Sequence, residues 1–114
     1  MGIEGRQMSD CSSDIRARRK AVEVGKVAVF REVRPDKAQA LKPIEEAAEV
    51  FGAWQTWVDG GDLASDRLAL VGECADVVQA VCNLLDALGV EDMRVALDDC
   101  RRRNIERGRE YEDD

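Results

Sequence analysis

Apolar residues recur at helical spacing along most of the chain, and turn residues cut that pattern into segments. Between Pro35-Asp36 and the Asp-Gly-Gly-Asp turn at 59–62, the spacing predicts a helix over roughly 36–58. Pro43 either opens its main part or kinks it. A long helix follows over about 65–88, with Gly89 as a natural C-terminal stop. A last helix spans about 91–107 and stops at Gly108. The segment 21–33, AVEVGKVAVFREV, fits two patterns. Its β-branched residues suit a strand, whereas the spacing of Val22, Val29, Phe30 and Val33 suits a helix. With no partner strand elsewhere, a helix is expected there. Residues 9–20 read as a polar arm, and IEGR at 3–6 matches a protease-cleavage linker common in recombinant expression, so 1–8 are set aside. The expected fold is all-α, a four-helix arrangement that buries its apolar faces partly by self-association. It comprises an arm at 1–20, a helical domain at 21–109 and an acidic tail at 110–114.

At about 100° per residue, the helix over 42–58 separates into two sides. Lys42, Glu45, Glu46, Glu49 and Thr56 share one sector, and Ile44, Ala47, Phe51, Trp54 and Val58 lie opposite. An exposed acidic face is the plain explanation. Against it, like charges four apart, as at Glu45 and Glu49, destabilise a helix by ~0.2–0.5 kcal/mol. In the helix over 65–88, Asp76, Gln79, Asn83 and Asp86 define a polar sector, with Glu73 at its edge against Val77, Ala80 and Leu84. A carboxylate pressed towards an apolar surface is costly unless something pairs with it.

Glu46 and Glu49 are three apart, as are Glu73 and Asp76, so each pair lies on one helix face. A short turn makes the two helices antiparallel neighbours, and the two faces can then meet. Four carboxylates converging between helices form a hard-cation site, which suits magnesium or manganese.

Composition narrows the chemistry. The 114 residues carry a net charge of −7 and no histidine. The charge argues against nucleic-acid or anionic-membrane binding. The missing histidine removes His-based triads, most zinc hydrolase sites and the Glu-x-x-His di-iron site. Cys11, Cys74, Cys82 and Cys100 form no Cys-x-x-Cys pair and read as small buried thiols. No unbroken apolar run approaches the ~20 residues of a membrane span, and no secretion signal is present. A cytoplasmic protein is expected. In the last helix, CRRRNIERGRE gathers arginines that partly suit the helix dipole. Asn104 and Arg107, three apart, and Lys42 beside the glutamates could face a polyphosphate. Metal and basic groups in reach of one substrate are the pattern of phosphoryl chemistry.

EEAAE at 45–49 and ECAD at 73–76 resemble the Glu-Glu-x-x-Glu … Glu-x-x-Asp signature of the all-α nucleoside triphosphate pyrophosphohydrolases. That superfamily includes MazG, the dimeric dUTPases and phosphoribosyl-ATP pyrophosphohydrolase. LKPIEEAAEV, GECADVVQAVCNLLDALG and CRRRNIERGR look most like small MazG-like proteins, so the similarity covers roughly residues 36–109. The resemblance implies a bundle that dimerises or forms tetramers, and magnesium-dependent cleavage of a nucleoside triphosphate to monophosphate and pyrophosphate. It makes Glu46, Glu49, Glu73 and Asp76 metal ligands, and Glu45 a further ligand or the group that orients the attacking water. Lys42, Asn104 and Arg107 would contact phosphates. Trp57 borders the acidic sector and is the candidate for stacking on the base, whereas Trp54 faces away and is expected in the core. Asn83 either reaches the nucleotide or caps a buried polar network. The rival readings are a phosphoribosyl-ATP-cleaving enzyme and a non-catalytic helical oligomer that binds a partner.

Overall fold

The computed structural model describes residues 20–110. The expected arm up to residue 19, Cys11 and the acidic tail from 111 on lie outside the described residues. Three helices, α1 (Lys37–Asp59), α2 (Ala64–Ala87) and α3 (Arg94–Glu106), make up 66% of those residues, and no strand occurs among them. The fold class is all-α. Contacts divide the chain into two compact units, Lys26–Glu91 and Met1–Gly25 with Asp92–Asp114.

Within Lys26–Glu91, α1 begins where Asp36 turns extended and accepts a hydrogen bond on its side chain from the Gln39 amide, at 2.9 Å. That bond satisfies one of the donors every helix start leaves open. Pro43 sits inside the helix, which runs through it. At the far end the amide of Asp62 reaches back to the Trp57 carbonyl at 3.0 Å. The same closure ends α2, where Gly89 takes φ +80 and the Val90 amide bonds the Leu85 carbonyl at 2.9 Å. Glycine adopts that left-handed conformation without the Cβ penalty other residues carry.

The short turn at 60–63 brings α1 and α2 together as packed neighbours. The less exposed positions of α1 include Gln39, Pro43, Glu46, Val50, Ala53 and Trp57, and those of α2 include Asp66, Leu70, Glu73, Val77, Ala80 and Leu84. Both sets alternate steps of four and three, the spacing of a coiled-coil seam. Two glutamates therefore occupy seam positions normally held by apolar residues. The seam also reassigns the other faces of α1. Ile44, Phe51, Trp54 and Val58 are 66%, 58%, 45% and 42% exposed. Trp54, expected in the core, instead lies outside and stacks on Phe51 with ring centroids 5.8 Å apart. Among the described residues only Ala80 and Asn83 are buried, at 6% and 4% exposure. The cysteines expected as buried thiols are not: Cys74 and Cys100 are exposed and Cys82 is half-buried, because neither exposed thiol falls on the seam.

The segment 21–33 corrects the sequence expectation: it is not helical. Val27 and Val29 alternate with exposed neighbours in a non-helical strap. Its backbone is bonded by side chains of α2 rather than by a helix ladder. Gln79 Nε2 donates to the Ala28 carbonyl at 2.8 Å, and the Phe30 amide donates to Asn83 Oδ1 at 3.1 Å.

By length and composition α2 is apolar enough to cross a membrane, with a mean hydropathy of 1.6 in its best window. Core helices of water-soluble proteins pass the same test. The sequence reading found no span because Glu73 and Asp76 interrupt the apolar run.

In the other unit, Asp92 precedes α3 and accepts from the Arg94 amide at 2.9 Å and from its guanidinium at 2.6 Å. These bonds hold the Asp92 carboxyl down at about pKa 2. Along α3, Asp99 pairs with Arg102 and Arg103, and Arg102 also lies 3.7 Å from Glu106. Much of the arginine charge seen in the sequence is thus matched within the helix.

Candidate metal centre

The seam brings Glu46 and Glu49 of α1 to Glu73 of α2. One carboxylate oxygen from each lies within 4.8 Å of the other two. Glu46 and Glu73 are half-buried, and Glu49 is exposed at the rim. Glu73 Oε1 is buried with no hydrogen-bond partner. An orphaned carboxylate oxygen costs free energy in this position unless a proton or a cation satisfies it. The Glu73 carboxyl is pushed above its ordinary pKa. Desolvation is the largest cause, followed by the charges of Glu49 and Asp76, a carboxyl–carboxylate hydrogen bond with Glu49, and the charge of Glu46. All these influences disfavour the ionised form, as expected of carboxylates held together without a counter-charge.

Beside the cluster, wholly within Lys26–Glu91, lies a cavity of about 520 Å³. Glu46, Asp76 and Lys42 line the part next to the cluster. Gln39, Gln79, Asn83 and Phe30 line it further, with Glu32, Arg34 and Asp36 from the segment that leads into α1. Carboxylates, two cationic side chains, three amides and one aromatic ring thus border one space.

Of the four carboxylates expected to converge, three meet and Asp76 stands next to them on the cavity wall. Glu45 points elsewhere: it pairs with Lys42 at 3.3 Å, both side chains more than half exposed. Trp57 occupies the seam, its indole Nε1 buried without a partner, and does not line the cavity. The ring that does is Phe30. Asn104 and Arg107 belong to the other unit. There Asn104 Oδ1 accepts from Arg109 at 3.4 Å, and Arg107 is the C-cap of α3.

Sequence reasoning missed Arg34, Phe30 and Gln79 as cavity residues. Gln79 was visible in the polar sector of α2. Phe30 was not, because it sits on a strap whose course depends on α2, and neither was Arg34 just beyond that strap.

An all-oxygen, histidine-free set suits a hard divalent cation such as magnesium or manganese, and the partnerless Glu73 oxygen fits that role. No family model matches this sequence, and comparison with curated proteins and with solved structures gives no significant match.

Proposed function

We propose that this chain is a MazG-like, magnesium-dependent pyrophosphohydrolase that converts a nucleoside or deoxynucleoside triphosphate to the monophosphate and pyrophosphate. The observation that carries this reading is the convergence of Glu46, Glu49 and Glu73 around the buried, partnerless Glu73 oxygen, beside a cavity that also holds cationic groups.

In this reading Glu46, Glu49 and Glu73 hold the cation, with Asp76 completing the set from the cavity wall. Magnesium, when bound there, neutralises the triphosphate and makes a bound water more acidic. Lys42 and Arg34 steer the phosphates by charge. Glu45, paired with Lys42 outside the cluster, enters as the base for the attacking water from the sequence resemblance alone. Asn104 and Arg107 enter as phosphate contacts from the sequence resemblance alone.

The active form in this reading is a homodimer or homotetramer. Two α1–α2 hairpins packed through Ile44, Phe51, Trp54 and Val58 would make the four-helix arrangement. The exposure of that apolar face supports this, because a lone hairpin with two buried residues has little core.

A panel of the common nucleoside triphosphates and their deoxy forms, with magnesium and detection of pyrophosphate, tests the proposal. Release from at least one of them is expected. Phosphoribosyl-ATP in the same panel separates the narrower enzyme reading. No release from any substrate and no divalent-metal binding would leave the non-catalytic helical oligomer as the better account.

A further inference from the structure

Asn83 is a polar side chain only 4% exposed, and it lies on the cavity wall. Its Oδ1 accepts two hydrogen bonds, from the Phe30 amide at 3.1 Å and from Gln79 Nε2 at 3.0 Å. A backbone N–H can only donate, so the Phe30 amide fixes which end of the Asn83 amide faces the strap. The same reasoning fixes Gln79. Its Nε2 donates at once to the Ala28 carbonyl and to Asn83 Oδ1, and both of those atoms can only accept.

Neither amide is therefore free to flip. Asn83 Nδ2, a donor, and Gln79 Oε1, an acceptor, are not used in these bonds. Both residues line the cavity, and the Phe30 ring lines it too. A fixed donor–acceptor pair beside an aromatic ring matches a planar heterocycle carrying an acceptor next to a donor. The hydrogen-bonding edge of a nucleobase has that pattern. Asn83 lies seven residues beyond Asp76 on the same helix, a rise of roughly 10 Å. A ribose bridges such a span between phosphate and base edge.

We infer that Asn83, Gln79 and Phe30 read the nucleobase, and that the strap backbone at Ala28 and Phe30 sets their hydrogen-bond code. The inference rests on the proposed triphosphate chemistry and adds to it the specificity-determining wall. Gln79 and the strap act as positioning elements, since they hold Asn83 in one orientation.

Calorimetric titration of the full chain with magnesium tests it, using non-hydrolysable α,β-imido triphosphates of the four bases and inorganic tripolyphosphate. The readout is the ratio of nucleotide to tripolyphosphate affinity, which cancels any general charge effect. The wild-type chain is expected to favour at least one base over tripolyphosphate by about tenfold or more, a discrimination in the range that paired polar groups supply. Asn83→Asp keeps an oxygen for the Phe30 amide and for Gln79 but turns the free donor into an acceptor. It is expected to lower the ratio for the preferred base about tenfold and to reorder the bases. Phe30→Ala, at an exposed position, is expected to lower the ratio for every base. A wild-type ratio near one, or a base preference unchanged in both variants, overturns the base reader and leaves the metal–triphosphate reading standing. Binding of neither tripolyphosphate nor any nucleotide overturns both.

Discussion

Glu73 is the residue on which a proton and the proposed cation would compete. Its raised carboxyl pKa means that folding favours the protonated form. The stabilisation is fully present below the ordinary carboxylate range near 4.5 and is lost as pH rises through the raised value. The metal-free chain should therefore gain thermal stability on acidification towards that range, and magnesium should remove the gain by stabilising the carboxylates at neutral pH. Asp92 acts in the opposite direction and at lower pH. Its depressed pKa adds stability above 3.8 that disappears as pH falls towards 2. Melting curves across the acid range with and without magnesium check both signs. A metal-free melting temperature that only falls on acidification above pH 4.5 would count against the cluster. Charge-removing variants address the chemistry directly. Glu49→Gln and Asp76→Asn are each expected to abolish pyrophosphate release while leaving the helical content and the oligomer intact. Turnover surviving both changes would show the ligand assignment to be wrong. That Glu46 and Glu49 share a face that meets Glu73 was readable because residues three apart lie on one side of a helix, whereas the place of Asp76 outside the cluster was not. That Glu45 turns away to Lys42 was not readable, since adjacent residues on a helix differ by about 100° and a small rotation decides which one enters the seam.

The helices themselves announced their limits. Asp36, Gly61, Gly89 and Gly108 lie at the ends of α1, α2 and α3, and these are residues whose side chain, or lack of one, satisfies the last backbone groups. The strap at 21–33 could not be read in the same way. Its hydrogen bonds run to Gln79 and Asn83, more than 50 positions away, and no local periodicity encodes a partner at that separation. The turn between α1 and α2 offers a test at this scale. A Cβ on Gly60 would stand 2.8 Å from the Thr56 carbonyl oxygen and 3.0 Å from Asp66 Oδ2. Gly60→Ala should destabilise the hairpin by about 1–3 kcal/mol, the usual cost of forcing an atom into an occupied space. Denaturant melts compared with the wild type measure this, and an unchanged midpoint would mean the turn gives way freely.

Within Lys26–Glu91, Ile44, Phe51, Trp54 and Val58 of α1 stay exposed while Glu46 enters the seam, the reverse of an ordinary amphipathic hairpin. All-α character was legible from spacing and turn residues. The inversion was only half legible. A wheel drawn at 3.6 residues per turn separates the acidic from the apolar side of α1, but it does not say which side meets α2. The seam settles that with a 3.5-residue repeat through Glu46, Val50, Ala53 and Trp57. Burying the outward face in a second copy makes stability depend on concentration. Dilution should lower the melting temperature, and Phe51→Glu should abolish that dependence by leaving a monomer. A melting temperature independent of concentration in the wild type would remove the basis for the homo-oligomer.

The two tryptophans, three positions apart on one helix, sit in different solvents. Trp57 is tucked into the seam with its indole nitrogen buried, and Trp54 stands 45% exposed on the stacked Phe51 ring. The chain thus carries two built-in optical probes of separate events. With Trp57→Phe, the remaining emission should move to shorter wavelength and lose its acrylamide quenching as protomers associate. With Trp54→Phe, the remaining signal should ignore dilution and change only when α1 and α2 come apart. Assembly and unfolding could then be followed separately in one sample, without any label.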